Sequence, residues 1–207
     1  MSWRRFLLAL AVQVATALGI SACGNNPPRN PADGCAIFKE KSRWYRDADA
    51  SFRRWGVPVH VQMAILYQES RFIHDAQPPR GRLLWLIPWK RPSSAYGYAQ
   101  ATDGTWDWYR AATGKRGADR DDFGDVSDFI GWYGDQSHRR LGIPLGDAYR
   151  QYLAYHEGHA GYARGSYSNK PWLIAVAHKL DDRARSYQLQ LADCAGELVS
   201  GPWYWPF

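Results

Sequence analysis

A chain of 207 residues, 45% hydrophobic and 22% charged, is long enough for one globular domain with its own core and too short for two full domains. Its formal charge of +6 comes from 26 Lys and Arg spread along the chain against 20 Asp and Glu. The clustered basic stripe of a nucleic-acid binder is missing, and an anionic envelope polymer or lipid surface fits better. The 11 Trp and 13 Tyr exceed what core packing needs, and flat aromatic faces are a common way to hold sugar rings or other planar ligands.

Residues 1–22 read as an export signal. Arg4 and Arg5 give a basic start, "FLLALAVQVATAL" is apolar but too short and weakly flanked for a membrane span, and "ISAC" places small residues before Cys23. The arrangement resembles the lipobox of a bacterial lipoprotein signal. That resemblance implies cleavage before Cys23, diacylglycerol on its thiol and an acylated amine. An ordinary signal peptide cut near Ala22 is the alternative, and either one exports the protein. Loss of Arg4 and Arg5 leaves 24 basic against 20 acidic side chains, a charge of +4. Gly24 is not the Asp that accompanies inner-membrane retention in enteric bacteria, so the expected location is the periplasmic side of the envelope, lipid-anchored in the outer membrane.

The stretch "GNNPPRNPADG" follows, with no apolar anchor and with prolines that favour extended chain, so residues 23–34 read as a lipidated tether. One domain is expected over 35–207. With Cys23 lipidated, Cys35 and Cys194 form an even pair in an oxidising compartment, where a disulfide is expected and two buried free thiols are the alternative. From Cys35 the apolar spacing is helical. It predicts a first helix to Trp55, stopped by Gly56, and a second from Pro58 through "VHVQMAILYQESRF". A long irregular segment precedes a third helix from Asp103, a candidate N-cap, to Gly114. Further helices are predicted over 126–141 and 147–156, and a last one opens at Asn169 and Pro171 and runs to about Cys194. Alternation is confined to Leu83–Ile87, so the domain is mainly α.

Glu69 sits oddly on the second helix. Ile65 and Leu66 lie one turn before it and Phe72 and Ile73 one turn after, so a carboxylate occupies an apolar face. An ion pair with an arginine or an exposed position would explain it. So would a catalytic acid, because apolar surroundings penalise the charged form and keep a proton available near neutral pH.

Three short motifs favour the last reading. "ES" at Glu69 and Ser70, "GYAQ" from Gly97 to Gln100 and "AYHEG" from Ala154 to Gly158 resemble, in order, the E-S, G-L-M-Q and A-Y-N-x-G signatures of the soluble lytic transglycosylase family. The likeness covers most of residues 57–180. It implies a single lysozyme-like helical domain that cleaves the β-1,4 bond between N-acetylmuramic acid and N-acetylglucosamine in peptidoglycan, without metal or organic cofactor. By the same resemblance Glu69 is the catalytic acid/base, and Ser70, Gly97, Tyr98, Gln100, Tyr155 and His156 are the expected substrate-binding positions. Ser70 contacts substrate or orients the acid, Gly97 admits close backbone approach, the Gln100 amide bonds sugar groups, and Tyr155 reaches the catalytic carboxyl.

The chain departs from the family pattern in places. Tyr98 and Ala99 stand for Leu and Met, His156 stands for Asn, and the connection from Phe72 to Gly97 is long, a loop insertion beside the cleft. No acidic residue lies between Asp75 and Asp103, although Asp75, Asp103, Asp107 and Glu157 remain able to fold back toward Glu69. A glycoside hydrolase commonly places a second carboxylate across the scissile bond, whereas a lytic transglycosylase needs one group only and leaves a 1,6-anhydromuramyl end. A hydrolytic muramidase of the same fold and a non-catalytic peptidoglycan-binding lipoprotein are the competing readings. His156 and His159 lack an accompanying ligand set and suit hydrogen bonding better than metal binding. "LLWLIPWKRP" (83–92) reads as a membrane-facing or glycan-gripping loop or as a core cover, and the ending "GPWYWPF" is expected to pack back on the domain near Cys194.

Overall fold

The computed structural model describes residues 26–80, 82–83, 87–88 and 93–200. The export signal, the lipidation position Cys23, most of the 83–92 loop and the "GPWYWPF" ending lie outside the described residues.

The described residues form seven helices: α1 (Gly34–Glu40), α2 (Ser42–Trp55), α3 (Val59–Ser70), α4 (Asp103–Thr113), α5 (Phe123–Leu141), α6 (Ala148–Ala163) and α7 (Pro171–Ser200). Two-residue strands β1 (Arg82–Leu83) and β2 (Ile87–Pro88) pair antiparallel in the long connection, Leu83 opposite Ile87. The mostly helical single domain expected from the periodicity is what forms.

The stop signals act as their chemistry dictates. Gly56, Gly114 and Gly142 end α2, α4 and α5 in left-handed backbone, which only glycine adopts without a Cβ penalty. Asp33, Asp122 and Asp147 cap α1, α5 and α6 by accepting the backbone N–H three residues on. Several boundaries differ from the expected ones, and the last helix runs on to Ser200. The first predicted helix is two, divided at Lys41, whose backbone (φ −119°, ψ 64°) leaves the helical region. The fourth starts at Phe123 because Asp122 supplies the cap. The fifth continues past His156 to Ala163 by restarting after Gly158 (φ 70°, ψ 157°).

α3 is buried almost all round. Val61 through Leu66 are core residues, so the helix runs through the middle of the domain with α7 along one side and α2, α5 and α6 on the others. α2 and α5 approach closely because Gly131 has no side chain: a Cβ there would stand 2.3 Å from the Ser51 hydroxyl, which donates to Ser127 O at 2.7 Å. Asp128 on α5 ties in α2 and α4, accepting from Trp55 Nε1 at 2.9 Å and the Tyr109 hydroxyl at 2.8 Å, with Lys115 Nζ at 3.2 Å.

The first and last described helices are joined. Cys35 and Cys194 form a disulfide with Cα atoms 6.1 Å apart, linking α1 to α7 across 159 residues of sequence. Part of the segment read as a tether is docked instead of free. Pro28 is buried, Arg29 N–H donates to Glu40 at 3.0 Å, and the Tyr187 hydroxyl donates to Pro31 O. Gln190 completes the attachment by accepting from Gly34 N–H at 2.7 Å and donating to Ala32 O at 3.2 Å. The reason is that a proline-rich strand leaves its carbonyls unpaired, and polar side chains of α7 supply the donors.

Candidate active site

α3 ends in a strained turn. Arg71 (φ 54°) and Phe72 (φ 63°) adopt left-handed backbone, and Gln100 (φ 49°) is the third non-glycine residue to do so among the described residues. Each such conformation costs an L-residue on the order of 1–2 kcal/mol and persists only where the surroundings over-determine it. Full burial of Phe72 between Trp44 and Tyr67, at ring centroid distances of 5.8 and 6.0 Å, supplies that constraint. The turn leaves Glu69, in the last turn of α3, lining a cleft of about 480 Å³. All three strained residues sit beside Glu69 or on the wall of this cleft.

Glu69 keeps partial access to the cleft while protein atoms pack around its carboxyl. Desolvation is the dominant effect and pushes its pKa up to about 7; the nearby hydroxyl of Tyr152, a donor toward the carboxylate, acts in the opposite sense. No arginine pairs with it among the described ion pairs. The residue therefore exchanges its proton near neutrality, the property a general acid and base needs.

The Gly97–Gln100 turn forms one wall. Gln100 lines the cleft, and its amide N–H groups donate to Ala76 O at 2.8 Å and Gly97 O at 2.9 Å. Its amide oxygen is the atom left for a ligand. Gly97 (φ 76°) serves packing and does not line the cleft: a Cβ would stand 2.0 Å from Arg120 O, so the glycine admits the Arg120 backbone instead of a sugar. Tyr98 turns into the core, 2% exposed, between Trp44 and Phe123, which removes it from the substrate-binding positions. Ser70 is buried as well, and its hydroxyl donates to Leu66 O at 3.3 Å within α3. It reaches neither the cleft nor Glu69.

α6 forms the opposite wall. Tyr155 and His156 line the cleft, together with Glu157 and Gly158. The Tyr155 hydroxyl is spent on Ala99 O at 2.6 Å, so it clamps the opposite wall, and the hydroxyl that acts on the carboxyl is that of Tyr152, one turn earlier. Tyr155 still lies close enough to feel the charge of Glu69, which, after burial, is the second cause holding its own pKa far above the usual range. Among the described carboxylates with a place in the cleft, Glu157 is the only second one. Its side chain is 3% exposed and bound by Lys170 Nζ at 2.7 Å, by Ser166 Oγ and by His156 Nδ1 at 3.1 Å. These bonds hold its pKa down to about 2. Asp75, Asp103 and Asp107 point to solvent, 60%, 64% and 72% exposed, and do not reach the cleft. His159 is half-buried and bonds Ser137 Oγ through Nε2 at 3.0 Å, with burial lowering its pKa to about 4.

Sequence reasoning missed two supports. Tyr152 belongs to none of the motifs, although its spacing of three from Tyr155 puts both on one helix face. Arg120 was silent in the sequence. Its guanidinium donates to Ser94 O at 3.0 Å, Ala101 O at 2.8 Å and Asp103 Oδ1 at 2.8 Å, and its carbonyl accepts from Tyr98 N–H at 3.1 Å, so it braces the whole Gln100 wall. Tyr152→Phe provides a direct test of the carboxyl's setting. Loss of the donor removes stabilisation of the charged form, so the alkaline limb of the pH–activity profile should move up by about one unit. An unchanged limb in a folded variant would mean that Tyr152 does not tune Glu69.

Nothing among curated proteins or solved structures matched the chain. A family model described as "Transglycosylase SLT domain" matches residues 11–194. The matched span contains every described residue that lines the cleft and ends on the disulfide cysteine. With Glu69 standing between Gln100 on one wall and Tyr155 on the other, and with the match running over most of its length, the chain belongs to the transglycosylase SLT-domain family, whose domains act on peptidoglycan.

Proposed function

We propose that the protein is a lytic transglycosylase that cleaves the β-1,4 bond between N-acetylmuramic acid and N-acetylglucosamine and leaves 1,6-anhydromuramyl ends. The observation that carries this reading is the asymmetry of the two cleft carboxyls. Glu69 titrates near 7, whereas Glu157 is held ionised by Lys170 and has its oxygens occupied. One group is thus equipped to exchange a proton, and the other is a poor base and a blocked nucleophile. Protonated Glu69 gives its proton to the glycosidic oxygen as the bond to C1 breaks. The neighbouring acetamido group of the substrate stabilises the cationic centre. The resulting carboxylate then takes the proton of the muramyl 6-hydroxyl as that oxygen bonds C1, which restores Glu69 to its starting state.

The reading extends to location. Cys23 carries the lipid, and the domain works on the periplasmic side of the envelope, in the outer membrane, with peptidoglycan strands as its substrate. Mass spectrometry of digested sacculi tests the chemistry. Anhydromuramyl ends are expected; reducing muramyl ends would assign a hydrolytic muramidase, and binding without released muropeptide would assign a non-catalytic envelope lipoprotein.

A further inference from the structure

Trp172 is out of place. Among the described tryptophans, Trp44, Trp106 and Trp132 are core residues and Trp55 and Trp108 pack against the core, but Trp172 is 57% exposed. A lone exposed apolar side chain needs no explanation by itself. This one is built into the rim of the cleft. Its ring stands edge-to-face with the His156 ring, at a centroid distance of 5.3 Å and an interplanar angle of 76°, and His156 lines the cleft.

Its backbone is also fixed. Trp172 lies in the first turn of α7, between Lys170, whose ammonium is bonded to Glu157, and Leu173, which is fully buried. Glu157 thereby fastens both partners, holding His156 through Nδ1 at 3.1 Å and the start of α7 through Lys170 at 2.7 Å. As an ionised carboxylate Glu157 only accepts, so Nδ1 carries the proton in that bond and Nε2 is the imidazole atom left for a ligand. The result is a broad apolar ring, on a backbone held in place, beside a polar nitrogen and continuous with a cleft whose other walls carry hydroxyl and amide groups from Ser93, Thr102, Thr105 and Gln100.

We propose that Trp172 and His156 form a sugar-binding subsite at the rim, where the indole face stacks on a pyranose ring of the glycan strand and His156 bonds its polar edge. This rests on the peptidoglycan reading above. A pyranose has the matching anatomy, with a C–H face that prefers apolar contact and a rim of hydroxyl and acetamido groups that must be hydrogen-bonded. A platform already held in place loses little freedom on binding, which suits it to grip a strand while Glu69 acts on a bond elsewhere in the cleft.

The probe is a soluble tetrasaccharide of alternating N-acetylglucosamine and N-acetylmuramic acid, titrated by calorimetry into the Glu69→Gln chain, which binds without cleaving. Adding Trp172→Ala should weaken binding about 10-fold, and Trp172→Phe should recover most of it. With Glu69 intact, Trp172→Ala should raise KM and leave kcat nearly unchanged, the mark of contact made equally in ground and transition states. Equal affinity of the Ala and Trp chains would overturn the subsite and leave the peptidoglycan reading standing. Absence of binding by the Glu69→Gln chain itself would overturn both. The exposed position makes the Ala variant a mild change for folding, and the Phe variant reports on binding with the aromatic face retained.

Discussion

Glu69→Gln is expected to lower turnover of sacculi by about 100-fold to 10,000-fold, the range typical for loss of a general acid and base. Size and most hydrogen bonding survive, so binding and circular dichroism should be unchanged. A stability effect of definite sign accompanies the loss. The Glu69 pKa is raised from 4.5 to about 7, so below about pH 4.5 the carboxyl is neutral in folded and unfolded chains alike and costs nothing. Between those values the unfolded chain sheds its proton first, and stability falls as pH rises. Above the folded value the full cost, on the order of 3 kcal/mol, is present. The melting curves of the wild type and the Gln variant should therefore separate as pH rises from 4.5 to 7, with the variant the more stable at the upper end. Wild-type activity should fall over the alkaline side of the same transition, because only the protonated form starts the reaction. Retained activity of a folded Gln variant would remove Glu69 from the mechanism.

Removal of the Cys35–Cys194 bridge is expected to have the largest effect on stability. The bridge closes a loop of 159 residues, for which chain entropy alone predicts about 5 kcal/mol of constraint on the unfolded state. At roughly 2–4 °C per kcal/mol for a domain of this size, the double variant Cys35→Ser with Cys194→Ser should melt about 10–20 °C lower. The loss should be felt at the ends first. The docked residues from Pro28 to Gly34 and the far end of α7 hold each other, whereas the cleft is built from α3, α6 and the Gln100 turn. A melting point within about 2 °C of the wild type would mean that the docked segment and α1 secure the ends without the bridge.

The legible parts of the fold are those with local causes. Glycines in left-handed backbone and Asp caps at helix starts leave marks in the sequence, and the helices they bound were found at or near their places. The break at Lys41 has no such mark, because no glycine or proline accompanies it. The restart after Gly158 was unreadable for the opposite reason: a glycine that ends a helix and one that joins two leave the same mark. In the site, motif order brought Glu69, Gln100, Tyr155 and His156 to one cleft. It misled for Ser70, Gly97 and Tyr98, whose motif positions are spent on packing in this chain. Tyr152 and Arg120 escaped because their importance comes from a partner distant in sequence: the carboxyl of Glu69 for one and the carbonyls of a loop for the other.

The docked chain from Pro28 to Gly34 sets a working radius. With Pro28 buried, a lipid on Cys23 would have a leash of at most the five residue steps from Cys23 to Pro28, instead of the dozen residues of 23–34. Five steps of fully extended chain span no more than about 18 Å. A lipid on Cys23 would therefore hold this surface of the domain within that height of the bilayer, and the glycan layer lying nearest the membrane would be the one within reach. Such a short leash would concentrate the cleft in a thin shell, where weak binding to single strands would be enough for repeated encounters. Lengthening the leash by releasing the Tyr187 and Gln190 contacts would widen the shell and dilute the enzyme within it.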